Sequence, residues 1–175
     1  GVGGGADCLG VLHRQAAEPD LWPGSADGMA KLIDPAFEWY AAKATSENMA
    51  KAKIATVALL GASLRRHASQ CSVTVLRDFH AENLIWLPER TGICRVGLLD
   101  FQDAVVGHPA YDLVSLTRDA RRDLGPGVAA LTTQHYLSQS PDVPAPSLAS
   151  ASVLSVHRDL RIPGTVSYPP LPLPM

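Results

Sequence analysis

Leu76–Leu116 reads LRDFHAENLIWLPERTGICRVGLLDFQDAVVGHPAYDLVSL, and the reading of the whole chain depends on it. Two polar clusters stand in this stretch, each directly after an apolar, β-prone run. Arg77, Asp78, His80, Glu82 and Asn83 follow VTVL; Asp100, Gln102 and Asp103 follow VGLL. Between them, LIWL and a short Cys-Arg-Val run flank the turn-like PERTG. That pattern predicts an antiparallel hairpin carrying Leu84–Leu87 and Arg95–Leu99. A hairpin brings its ends together, so Asp78, Asn83 and Asp100 are expected to converge at one end of a small sheet.

Phosphoryl transfer is the chemistry that wants such a set. It needs a carboxylate to orient the attacking hydroxyl and oxygen ligands for magnesium on the nucleotide phosphates. An Asp with an Asn five positions on, then a strand-end Asp after a hairpin, supplies all three. A lone D-x-x-x-x-N is common by chance, and a strand-end Asp is often only a turn former. The intervening hairpin and the Tyr111-Asp112-Leu113 that follows make the combination far more specific.

The order is that of the kinase catalytic loop and metal-binding Asp, H-R-D-x-x-x-x-N and then D-F-G. Here it stands as LRDFHAEN and LDFQD. On these residues the chain resembles the aminoglycoside phosphotransferase and choline kinase branch of the protein-kinase-like fold. Within that branch, LLDFQDAVVGHPAYDLVSLTRDARRDL looks most like the bacterial anomeric kinases of N-acetylmuramate and N-acetylglucosamine. The resemblance runs from Leu12 to Leu137, with an echo at HRDLRIPG that contains Arg158.

The resemblance implies an α+β, mainly helical fold: a protein-kinase-like C-terminal lobe with a small antiparallel hairpin. It implies ATP and Mg2+ as cofactors, and an amino sugar or aminoglycoside as the small-molecule partner. Asp78 becomes the catalytic carboxylate, and Asn83 and Asp100 the magnesium ligands. His80 matches the second histidine of the branch's H-G-D-x-H-x-x-N pattern. It either hydrogen-bonds within the loop or is a plain surface histidine. Leu76 stands where that pattern has a histidine that supports the loop from beneath, so no reacting group is lost. Arg77 fills the arginine position of H-R-D, with no phosphorylated activation loop in view to pair with it. Asp103, beside Gln102, either approaches a second metal or the substrate, or is a turn residue. Asp112 sits where a helix cap belongs, and the resemblance makes it a brace for the catalytic loop. Arg118, Asp119, Arg121, Arg122 and Asp123 read as a charged helix face, with a clamp for a substrate carboxylate as the sharper alternative.

Composition sets the outer bounds. A chain of 175 residues suits one domain with a real core. Fifteen basic against seventeen acidic residues give a net charge of −2, so no general attraction to nucleic acid or membrane follows. No apolar run is long enough to span a bilayer, and no signal peptide is visible. Cys8, Cys71 and Cys94 are odd in number and lack metal-ligand spacing, which points to a reducing cytoplasm.

Outside the central stretch the expectations are plainer. GVGGGAD lacks the flanking strands and downstream strand lysine of a kinase glycine loop, so residues 1–11 are expected to be a flexible terminus. The kinase-like lobe is expected over residues 12–140, beginning with an extended, Pro-interrupted LHRQAAEPDLWPGS. Met29, Leu32 and Ile33 precede Pro35, with Phe37, Tyr40 and Ala41 after it and Trp39 adjoining. Pro35 therefore kinks one helix or separates two. A second helix runs from Glu47 to His67, with Ile54, Val57, Ala58, Gly61 and Leu64 on one side. A further helix passes through Val128, Leu131, His135, Tyr136 and Leu137. Residues 141–175 are Pro/Ser-rich, with a last helix over Leu148–Ile162 ended by Pro163 and Gly164, and SYPPLPLPM as extended tail.

In the kinase-like fold ATP lies between two lobes, and the N-terminal one carries the glycine loop and phosphate-pairing lysine. Nothing before Leu12 encodes that lobe, so the expectation is a truncated C-lobe whose missing N-lobe is a partner for catalysis. By this chain alone, turnover is expected to be lost. The competing expectation is a non-catalytic kinase-like module that binds sugar or a partner.

Overall fold

The computed structural model describes residues 2–39, 46–118 and 124–166. In chain order the elements are α1 (Val2–His13), β1 (Trp22–Pro23), α2 (Ala26–Lys31), α3 (Asp34–Trp39), α4 (Ser46–His67), β2 (Val73–Val75), β3 (Leu84–Trp86), β4 (Val96–Leu98), β5 (Val105–Gly107), α5 (Ala110–Thr117), α6 (Val128–Gln139) and α7 (Leu148–Val166). Tyr40 and Ala41, the charged Asp119, Arg121, Arg122 and Asp123, and the tail from Ser167 lie outside the described residues. The result is helix-rich with two small sheets, an α+β arrangement as expected.

The expected hairpin is present. β3 and β4 pair antiparallel with Leu84 opposite Leu98, Ile85 opposite Gly97 and Trp86 opposite Val96. Two further backbone bonds lengthen the ladder, Leu87 N to Arg95 O at 2.8 Å and Leu99 N to Asn83 O at 3.0 Å. The PERTG connection closes through a short 3-10 turn over Gly92–Arg95. Gly92 takes φ +56°, a left-handed conformation that only glycine adopts at little cost.

A second sheet was not anticipated. β5 pairs parallel with β1 and antiparallel with β2, giving the order β1-β5-β2. All three residues of β2 are buried, so its VTV reads as a covered strand rather than an alternating one. One core forms where α2, α4 and α7 cover this sheet, around Met29, Ile33, Leu64, Val75, Val105 and Leu154. A second core lies around Ala6, Leu9, Leu76, Phe79, Leu116 and Tyr136. The neighbours Val75 and Leu76 therefore bury into different cores, which fixes the start of the loop that follows β2.

Residues 2–13 correct the expected flexible terminus: they form helix α1. Each glycine in a helix interior costs about 1 kcal/mol relative to alanine, which is why the sequence reads as unstructured. Burial reverses that. Ala6 and Leu9 are fully buried in the second core. A Cβ on Gly5 would meet Leu116 at 3.1 Å, and one on Gly4 would meet Val96 at 3.1 Å. The missing side chains let α1 approach α5 and the hairpin closely. LHRQAAEPDLWPGS is likewise only partly extended, since its first residues belong to α1 and Trp22–Pro23 to β1.

Two helices form here, but the break between α2 and α3 falls at Leu32 and Ile33, and Pro35 lies in the first turn of α3, where its missing N–H costs nothing. Ser25 starts α2, its Oγ accepting the Gly28 N–H at 3.2 Å. α4 spans nearly the expected residues, but Ile54 is 71 % exposed and Ala58 also faces out. The inward stripe is Val57, Leu60, Gly61 and Leu64. α7 starts at Leu148 as expected and continues beyond Pro163 to Val166. Among the described residues no helix is long and apolar enough to cross a membrane, and Cys8, Cys71 and Cys94 are free thiols.

Candidate active site

The loop after β2 is held by a buried carboxylate from another element. Asp112 does not cap α5; Pro109 occupies the cap position and makes no side-chain cap bond. From inside the helix the Asp112 carboxylate accepts the Leu76 N–H at 2.7 Å and the Arg77 N–H at 3.0 Å. Asp112 is wholly buried, and burial pushes its carboxyl up to about 7 against the pull of those two donors. Arg77 has φ +71°, a left-handed conformation costly for a residue with a side chain. The paired N–H bonds to Asp112 hold it there. Leu76 occupies the support position as an apolar core residue, 7 % exposed.

Asp78 follows at the loop's mouth. Asn83 closes the loop, its Nδ2 donating to the Asp78 carbonyl at 2.9 Å. Between them Ala81–Asn83 forms one 3-10 turn. His80 is buried, not a surface histidine, and its Nε2 lies 3.4 Å from Asn83 Nδ2. Arg77 ties this loop to the next: its guanidinium donates to the Asp103 carbonyl at 3.3 Å and lies 3.7 Å from the Asp103 carboxylate. Asp103 is exposed and Gln102 donates to the Asp100 carboxylate.

Asn83 and Asp100 are brought to one end of the hairpin. The Leu99 N–H to Asn83 carbonyl bond places Asn83 across from Leu99, with Asp100 next in the chain. Asp100 turns there through φ +55°. Asn83 Nδ2 is engaged within the loop, so its carbonyl Oδ1 is the atom available to a cation. One amide oxygen and one carboxylate are hard donors that suit Mg2+. Among the described residues no group of three or more His, Cys, Asp or Glu side chains is placed to hold a metal by itself. A magnesium ion on Asn83 and Asp100 would take its remaining ligands from nucleotide phosphates and water, as this ion commonly does. When bound it would neutralise phosphate charge.

Arg161 was missed from sequence, and Arg158 was named only within the HRDLRIPG echo, with no role. Arg161 of α7 donates from Nη2 to Asp78 Oδ2 at 2.7 Å and from Nη1 to the Tyr111 hydroxyl at 3.3 Å. Three residues earlier on the same helix, the buried Arg158 donates to the Arg118 carbonyl at 3.0 Å. The available signal was the 158/161 spacing, which puts two arginines on one face of an otherwise apolar-stripe helix.

The description "Phosphotransferase enzyme family" belongs to the family model that matches residues 6–147. An N-acetylmuramate/N-acetylglucosamine kinase of Caulobacter vibrioides is 51 % identical over 89 residues, covering 50 % of this chain and 24 % of that protein. A kinase of the same name from Neisseria meningitidis serogroup B is 38 % identical over 110 residues, 62 % of this chain and 31 % of that protein. The chain thus matches less than a third of the length of either relative. With the family match reaching from α1 to the start of α7, this chain belongs to the phosphotransferase enzyme family.

Proposed function

We propose that the chain is the catalytic and metal-binding C-lobe of an ATP-dependent kinase acting on a hydroxyl of an amino sugar, N-acetylmuramate or N-acetylglucosamine. The observation that carries this reading is the hairpin register, which sets Asn83 beside the Leu99–Asp100 turn while Asn83 Nδ2 closes the Asp78 loop. Asp78 then orients the sugar hydroxyl that attacks the terminal phosphoryl group. Asn83 and Asp100 hold the magnesium that accompanies the nucleotide. The names of the two relatives support the sugar class.

The lobe that grips the nucleotide would come from sequence outside these 175 residues. Phosphoryl transfer is mostly positioning and charge neutralisation, so these residues by themselves are expected to turn over ATP at no useful rate. The test is phosphorus NMR on the product of the complete reading frame with Mg2+, ATP and each sugar. Formation of sugar 1-phosphate, lost in Asp100→Ala, supports the proposal. Phosphorylation of an aminoglycoside in place of the sugars would move the substrate class. Sugar binding without product in any combination would favour the non-catalytic module.

A further inference from the structure

Arg161 reaches across 83 residues of sequence to the carboxylate that the proposed reaction depends on. Its side chain is 9 % exposed and that of Asp78 27 %. A guanidinium at that depth is costly unless paired and hydrogen-bonded. Both requirements are met here, with Nη2 on Asp78 and Nη1 on the Tyr111 hydroxyl. The planar fork of arginine serves two acceptors in fixed directions, which an ammonium does not do.

The residues under Arg161 are buried and hydrogen-bonded. One turn earlier His157 is fully buried and its Nε2 donates to the Met29 carbonyl at 2.8 Å. Arg158 is 2 % exposed and bonded to the Arg118 carbonyl. Tyr111, the other acceptor, is 2 % exposed in α5 and next to Asp112, which holds the backbone of Leu76 and Arg77. Two of the loop's restraints therefore come from helices α5 and α7. Asp112 fixes its backbone, and Arg161 fixes the side chain of Asp78.

Resting on the kinase reading above, we propose that Arg161 is a positioning residue for phosphoryl transfer, holding one oxygen of Asp78 so that the other is presented to the attacking hydroxyl. Helix α7 then takes part in the reaction through Arg161 and Asp78.

The first test is made on the 175-residue chain by nitrogen-15 NMR of its arginine guanidinium groups. A protected Nη signal absent from Arg161→Lys and also lost in Asp78→Ala is expected; a signal unchanged by Asp78→Ala overturns the pairing. The second test is steady-state kinetics on the product of the complete reading frame. Arg161→Gln is expected to lower kcat about 100-fold, the scale set by misplacing a reacting group by about 1 Å. KM for sugar and for ATP should stay within about threefold, since no ground-state contact is removed. Arg161→Lys should recover part of kcat by restoring the charge. Unchanged kcat in Arg161→Gln overturns the inference. So does an equal fall of kcat and thermal midpoint in both variants without recovery by lysine, which would mark a purely structural arginine. A wild-type protein that phosphorylates neither sugar nor aminoglycoside defeats the kinase reading and this inference with it. An active wild type with an indifferent Arg161 defeats only the inference.

Discussion

The Asp112 carboxylate, buried inside α5, takes the backbone N–H of Leu76 at 2.7 Å although the two lie 36 positions apart. Its second oxygen takes the N–H of Arg77 at 3.0 Å. Asp112→Asn keeps the shape and loses one of these bonds, because the amide nitrogen then faces a donor. A buried donor left without a partner costs about 1–3 kcal/mol. The variant is expected to unfold at lower urea by that amount, with kcat falling further than stability alone explains because Arg77 is released from its left-handed conformation. An unchanged urea midpoint would show that the loop does not depend on Asp112.

Asp78→Asn removes the proton acceptor and leaves an oxygen for Arg161 to bond. Turnover of the complete protein is expected to fall at least about 100-fold, the lower end of acid–base contributions, while sugar affinity measured by calorimetry stays the same. Full turnover in this variant would take Asp78 out of its proposed role.

Helix α1 is tied to α6 by a hydrogen bond of 2.8 Å between His13 Nδ1 and the Tyr136 hydroxyl, both buried. Tyr136→Phe strands the histidine nitrogen and should cost about 1–3 kcal/mol. Hydrogen exchange should then accelerate in residues 2–13 ahead of α4. If α1 exchanges quickly in the wild type as well, the helix is not part of the stable body.

Acid should weaken the fold. Burial holds His13 and His157 down to about 4, from an ordinary 6.5. Through that window the unfolded chain binds protons that the folded one refuses. Their stabilisation is present above pH 6.5 and lost as pH falls. His108, lowered by burial, acts on the same side. Asp112 opposes them: raised to about 7 by burial, it recovers stability as pH falls toward 3.8. Two histidines against one carboxyl leave a net loss of stability between about pH 7 and 4. Urea midpoints across that range check the sign, and a midpoint that rises on acidification contradicts it. His157→Gln should flatten the profile.

What the chain's order of residues settled by itself is local. The hairpin was legible because LIWL, PERTG and the Cys-Arg-Val run carry strand periodicity and turn chemistry within sixteen residues, Leu84–Leu99. The expectation that Asp78, Asn83 and Asp100 group together followed from that hairpin, and the chemistry proposed for them came from the resemblance. The limits of α4 were legible from helical spacing between a polar start and a basic end. Tertiary structure decided everything that needs a distant partner. Glycine-rich residues 2–13 became a helix because α5, α6 and the hairpin cover them, an outcome that runs against their helix propensity. Local pattern made Asp112 a cap, and only the resemblance made it a brace for the loop; its partners are N–H groups of that loop, from another element. Arg161 could not be assigned to Asp78 from sequence, because a contact between residues 83 positions apart is set by how helices pack against the sheet, and the 158/161 spacing marks a helix face without naming its partner.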